Sequence, residues 1–171
     1  GGSRSEPVRR RGINSRVGPR PLTKGSPDMP RPAAWRLSPD SYPKREEIQT
    51  RYQDLDPNGH LNNVAFAALF ETVRVRMNHT IGDAQRGKDF RAVVARNEIN
   101  YLAEGSFPAP VEIAIGIGKI GNRSWEMLAA MFQNGVAIAT CDTVIVMTAP
   151  AGEPLPDAMR EGLKALRVRE G

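Results

Sequence analysis

Residues 90–147 read almost without a break as β-strand, and only one long helical pattern precedes them. Residues 90–102 are rich in Val, Ile and Tyr. Val111, Ile113, Ile115 and Ile117 then alternate with Glu112, Ala114 and Gly116, the period of two that puts one side of a strand in a core. Gly121-Asn122-Arg123 signals a turn into a strand over residues 125–133. Asn134-Gly135 is a two-residue hairpin signal that leads into residues 136–147. Three or four long strands joined by tight turns predict an antiparallel meander. A sheet with one apolar face needs a cover.

The cover is legible just upstream. Phe66, Leu69, Phe70, Val73 and Met77 recur at three- and four-residue intervals, with Glu71, Arg74 and Arg76 mostly on the other side. Asn62 or Asn63 can cap the start of this helix, and Gly82 after Ile81 is a stop signal. A short strand is expected over residues 46–52, followed by a polar loop, and Met159, Leu163 and Leu166 after Pro156 predict a short amphipathic helix. The fold class is therefore α+β, a sheet curled around one long helix. A single helix leaves edges and surface to be buried by oligomerisation.

The formal net charge of +5 misleads until it is divided. Residues 1–44 hold ten Lys/Arg against three acids, a net of +7, and residues 45–171 hold fourteen against sixteen, a net of −2. The first stretch also carries eight of the fourteen prolines, a composition that cannot bury enough apolar surface to offset ordering. Residues 1–44 are read as an extended or disordered arm, serving as a linker or docking segment, and residues 45–171 as the folded domain. Gly1-Gly2-Ser3, with no initiator methionine, reads as part of a tag remnant, Met29 being the next plausible start. Arg9-Arg10-Arg11 offers non-specific phosphate attraction, but no helix-turn-helix pattern accompanies it, so no specific nucleic-acid partner is expected. No apolar run approaches the roughly 18 residues a membrane span needs. The lone Cys141 cannot form an internal disulfide and sits in an apolar run, which predicts a buried, inert thiol and a cytoplasmic protein. Two histidines and one cysteine argue against a structural zinc site.

The unusual segment is Arg51-Tyr52-Gln53-Asp54-Leu55-Asp56-Pro57-Asn58-Gly59-His60-Leu61-Asn62-Asn63. It gathers two carboxylates, a histidine and amides between the first strand and the helix. Free backbone N–H groups at a helix start can hold a thioester carbonyl oxygen and its developing charge. A carboxylate a few residues earlier can attack the carbon or activate water. Gly59 lets the backbone approach a ligand closely. Asp-Pro-Asn-Gly is also a turn sequence, and Asn-Asn also a plain cap. Alternation from the first strand sends Asp54 and Asp56 the same way, so spacing does not separate them.

The order Asp54-x-Asp56-x-x-Gly59-His60-x-Asn62-Asn63, with Phe66 and the Phe70-Glu71 pair on the helix, resembles the hydroxybenzoyl-CoA thioesterase branch of the hotdog superfamily. Residues 95–102 resemble that family's second strand, and residues 120–125 its turn into the fourth; the likeness runs from about residue 45 to residue 147. The resemblance implies a hotdog fold, with a five- or six-stranded sheet wrapped around the central helix, paired dimers, and active sites at the dimer interface. It implies Asp56 as nucleophile or general base, Asn63 as the helix-start residue whose N–H polarises the carbonyl, and His60 in a supporting place. Gly59, Asn62 and Phe66 would shape the substrate site, with Glu71 on the helix as a further candidate. The family often has Tyr where this chain has Phe66, which removes a hydroxyl and suits aliphatic chains. Arg91, Arg96, Lys119 and Arg123, with Ser124 beside the last, are candidates for the nucleotide end of CoA through phosphate pairing.

The expected activity is hydrolysis of an acyl-CoA or acyl-carrier-protein thioester, with no metal and no cofactor beyond the CoA of the substrate. Hotdog hydratases use an Asp and His five residues apart, whereas the aspartates here stand six and four before His60. A non-catalytic acyl-CoA-binding module is the alternative from another class. The expected assembly is a homodimer or a dimer of dimers.

Overall fold

The computed structural model describes residues 31–81 and 89–170. Gly82, Met29 and Arg9-Arg10-Arg11 lie outside the described residues. The elements are β1 (Lys44–Ile48), α1 (Asn63–Thr80), β2 (Arg91–Tyr101), β3 (Val111–Ile120), β4 (Ser124–Gln133), β5 (Val136–Ala149) and α2 (Asp157–Ala165). The strands form one antiparallel sheet in the order β1-β3-β4-β5-β2. This is a hotdog architecture, five strands around one long helix, as expected.

The inward residues of the sheet come from alternation: Ile113, Ile115 and Ile117 on β3, then Trp125, Met127, Ala129 and Met131 on β4. They form one cluster with the buried face of α1, on which Phe66, Leu69, Phe70, Val73 and Met77 are each 8 % exposed or less. Cys141 belongs to the same cluster, and burial above all pushes its thiol pKa up, so the sulfur packs as a small hydrophobe. Met159 and Leu163 of α2 are wholly buried and join the cluster with Leu155 and Ile81. Beyond α2 the chain bonds back to β3 through Ile117, using Leu166 O and Val168 N. Among the described residues no helix is long and apolar enough to cross a membrane.

Two boundaries differ from the sequence reading. The first strand covers Lys44–Ile48 rather than residues 46–52, because the chain curls into a 3-10 turn at Tyr52–Asp54. The Asp54 carboxylate accepts both the backbone N–H and the guanidinium of Arg51, which holds that turn. The meander contains only β3, β4 and β5, while β2 pairs with β5 at the far edge. Residues 102–110, with Pro108 and Pro110, cannot make a tight hairpin and instead cross the end of the sheet. Gln133, 1 % exposed, holds this crossing by donating to Ser106 O and Ala109 O and accepting the Ser106 N–H.

Asn134 and Gly135 both have positive φ, +52° and +77°, as a two-residue hairpin turn requires. No atom stands within 4 Å of where a Gly135 Cβ would lie, so a side chain there meets only backbone strain. Gly135→Ala should therefore destabilise the protein by about 1 kcal/mol, read from the urea unfolding midpoint, with an unchanged denaturant slope.

Candidate active site

Residues 55–61 form a closed loop that delivers the chain to the helix. Leu55 and Leu61 bridge its ends, and Asp56 N–H donates to His60 O at 2.8 Å. Inside it, Asp56 Oδ1 accepts the N–H groups of Asn58 (2.8 Å) and His60 (3.1 Å), and Gly59 takes φ +82°. Leu61 N–H donates to Gly105 O at 2.9 Å, and a Cβ on Gly105 would come within 2.6 Å of Leu61 Cδ1. Glycine at 105 thus lets the loop after β2 close against the helix start. The Asn62 side chain accepts the Ala65 N–H at 2.7 Å, making it the cap of α1. Asn63 is the first helical residue, and its N–H has no acceptor within the helix.

A cavity of about 310 Å³ opens at this junction. Asp56, Asn58, His60, Leu61, Asn63 and Phe66 line it from the loop and the helix start, and Tyr101, Ala103 and Glu104 from the end of β2 and the chain beyond it. His60 Nε2 stands 3.4 Å from Glu104 Oε2. The Phe66 and Tyr101 rings meet edge to face at 5.3 Å between centroids. The Tyr101 hydroxyl is 3.5 Å from Asn63 O, and burial, then the nearby Cys141, pushes its pKa up, so it remains a donor. A hydroxyl absent from Phe66 on the helix is thus present across the cavity on β2.

The structure brings Asp56, His60, Asn63 and Phe66 together in one cavity, with Gly59 in its loop and Asn62 capping the helix behind it. It separates the two aspartates. Asp54 turns away, 4 % exposed, into its ion pair with Arg51, while Asp56 faces the cavity. Glu71 lies outside the cavity, exposed on α1 and paired with Arg74 at 3.1 Å. Arg91 is at the opposite end of β2 from Tyr101, roughly 30 Å away along the strand. The Arg123 guanidinium donates to Met147 O and Pro150 O, a tie between loops. Ser124, Arg96 and Lys119 border a separate cleft of about 430 Å³ on the other face of the sheet. Asn58, Tyr101 and Glu104 are site residues that sequence reasoning did not select. Tyr101 stood inside the segment resembling the family's second strand, but nothing local marks Glu104. Among the described residues no three His, Cys, Asp or Glu side chains converge to hold a metal ion.

The sequence profile of the thioesterase-like superfamily matches residues 50–163, two-thirds of the chain and the whole of this site. The chain belongs to that superfamily. Among solved thioesterase-like structures, a Thermus thermophilus thioesterase complexed with coenzyme A and Zn shares 32% identity at a TM-score of 0.66, covering 77% of this chain and 99% of its own. A predicted thioesterase from Bacillus stearothermophilus shares 28% identity at a TM-score of 0.67, covering 74% and 98%. A Pseudomonas aeruginosa protein shares 28% at 0.68, covering 79% and 98%. No curated protein shows significant similarity to the present chain.

In this thioesterase-like chain the Arg51–Asp54 turn sets the approach to the active loop, and it carries a pH signature. Hydrogen bonds from Arg51 outweigh burial and hold the Asp54 carboxyl below its usual range. A depressed folded pKa gives stabilisation that is complete above the unfolded value of about 3.9 and lost as pH falls through the folded one. The wild-type melting temperature should therefore drop more between neutral pH and pH values below about 4 than that of Asp54→Asn, followed by circular dichroism.

Proposed function

We propose that this chain hydrolyses an acyl-CoA or acyl-carrier-protein thioester to the free acid and thiol, with Asp56 as the reacting carboxylate. The observation that carries this reading is that Asp56 and Asn63, the helix start, line the same cavity. The thioester carbonyl oxygen would accept the free Asn63 N–H, where the helix end favours negative charge. Asp56 then attacks the carbonyl carbon or takes a proton from a water that does. The tetrahedral oxyanion collapses and the C–S bond breaks. In the general-base route the proton held by Asp56 passes to the departing thiolate. In the nucleophilic route the thiolate takes its proton from solvent, and water then hydrolyses the acyl–Asp56 anhydride to the free acid and the regenerated carboxylate. Only Asp56 Oδ1 is engaged by the loop, so Oδ2 is left for this chemistry. His60, beside Glu104, supports the wall.

Superfamily membership and the coenzyme A held by the Thermus relative support a CoA thioester as substrate. Leu61, Phe66 and Ala103 favour an aliphatic acyl group near the reacting carbon. The working unit in this reading is a homodimer joined through β2. That strand is an edge, exposed along most of its length, with Val93 51 % and Val94 45 % exposed. An unpaired edge of this length invites another strand. Antiparallel pairing about a two-fold axis would set the start of the partner's β2, where Arg91 sits, near the Tyr101 end that walls the cavity. Arg91 would then meet CoA phosphates bound at the opposite subunit.

Thiol release from short, medium, long and aromatic acyl-CoAs tests the proposal. Asp56→Asn keeps an Oδ1 to accept the Asn58 and His60 N–H groups, so the loop is expected to remain closed. Turnover should fall by about 10²–10⁴-fold in this variant with an unchanged circular-dichroism spectrum. Folded wild-type protein that turns over none of the panel would remove free acyl-CoA as the substrate, and equal turnover by Asp56→Asn would remove Asp56.

A further inference from the structure

The sheet has a second face, turned away from α1, and its two halves differ in chemistry. One half carries the Arg96–Glu126 ion pair, Glu98 and Lys119, with Val144 and Val146 between them. The other half is apolar: Ala114 on β3 and Leu128, Ala130 and Phe132 on β4, all 5 % exposed or less. These four are buried although no helix lies over them. Their cover is mainly the end of the stretch that composition marked as an arm, two 3-10 turns at Ala34–Leu37 and Pro39–Ser41 and the following Tyr42, with Val168 of the chain after α2 packed beside it.

The attachment is specific. Arg36 is 7 % exposed and its guanidinium donates to Asp142 Oδ1 (2.6 Å), Ala129 O (3.1 Å) and the Tyr42 hydroxyl (3.0 Å). The Tyr42 hydroxyl returns a bond to Arg36 O at 2.9 Å, and the Trp35 ring lies 5.4 Å from the Arg36 guanidinium carbon. A cation buried beside apolar strands is costly unless it is fully paired, so this set of bonds fixes one seat for the segment. Asp142 lies opposite Leu128 on the neighbouring strand and supplies that pairing. The superfamily match begins only at residue 50, and the three relatives described above leave 21–26% of this chain without a counterpart. Residues 34–42 lie outside the part of the chain that the superfamily profile matches.

We propose that residues 34–42 are a built-in cap that keeps this sheet face from stacking on the same face of a second copy, and so limits how far the chain assembles. Bare, the face would present Leu128, Phe132, Ala130 and Ala114 as one patch, and two sheets packing face to face about a two-fold axis bury such a patch on both sides. The partner it fits is a second copy of this chain, and the cap occupies the place that copy would take. This inference does not depend on what the active site does.

The test is the assembly mass of the full chain by size-exclusion chromatography with light scattering, over a wide concentration range. Arg36→Asp sets an acid against Asp142 and should release the segment, which hydrogen exchange across residues 34–42 reports directly. The expected result is a two-fold rise in assembly mass over wild type. Adding Asp142→Arg should restore both protection and the wild-type mass, and adding Leu128→Lys to Arg36→Asp should cancel the doubling with the segment still free. Trp35→Ala, a milder release, serves if Arg36→Asp does not fold. Faster exchange of residues 34–42 with an unchanged mass would overturn the proposal. So would a doubling that Leu128→Lys leaves in place, or a wild type already at the released variant's mass with its cap protected.

Discussion

Burial of one face of α1 against one face of the sheet is the constraint from which the rest of the molecule follows. Five helical side chains, Phe66, Leu69, Phe70, Val73 and Met77, are each 8 % exposed or less. At about 2 kcal/mol for each side chain taken from water, they supply about 10 kcal/mol, comparable to the whole net stability of a domain. That burial fixes the rotation and depth of the helix. Its N-terminus is thereby held at the end of β2, where Asn62 caps it and Leu61 bonds Gly105. The cavity exists because that helix start has nowhere else to go.

The parts of the fold that were legible in the sequence are the locally encoded ones. The 3.6-residue period of α1, the Asn cap, the alternation of β3 and the Asn134-Gly135 turn each place their signal within a few residues, and the structure agrees with each. Sheet order is not local. Alternation says which way a side chain faces, and β2 satisfies its alternation equally well beside β3 or β5. Only the crossing of residues 102–110, tied down by Gln133, decides for β5. Asp54 and Asp56 were inseparable because the reading carried the strand period through a stretch that curls into a 3-10 turn at Tyr52–Asp54. The site was half legible for the same reason. Asp56, His60 and Asn63 come from one contiguous loop, while Tyr101 and Glu104 arrive from β2 and the chain beyond it, some forty residues downstream. The seating of residues 34–42 was hidden by composition, since a Pro- and Arg-rich stretch looks the same whether its arginine is solvated or held by a distant aspartate.

In the proposed reaction Asp56 would play two parts with one side chain. Its Oδ1 accepts two backbone N–H groups and closes the loop, which is enough to explain an Asx-type turn before a helix. A turn of that kind leaves unexplained why the loop stands across a cavity from Tyr101 and Glu104, with the helix start lining the same cavity. Division of labour between the two carboxylate oxygens reconciles the parts. One oxygen holds the loop at fixed geometry, and in the proposed reaction the other is left to react, so the turn would preorganise the group it contains.

The distribution of cover over the sheet then bears on where the molecule can meet others. A five-stranded open sheet has two faces and two edges to satisfy. Helix α1 takes the inner face, and residues 34–42 take the apolar half of the outer one. At the β1 edge, where β1 stops opposite Ile115, the chain after α2 continues the pairing at Ile117. Among the described residues the outer edges of β1 and β2 both stay open, and β2, the longest strand but one, is the longer, with the cavity at its end. The longer of the two edge strands is thus the one that walls the site. In the dimer proposed above, that edge is where a second chain would complete the pocket.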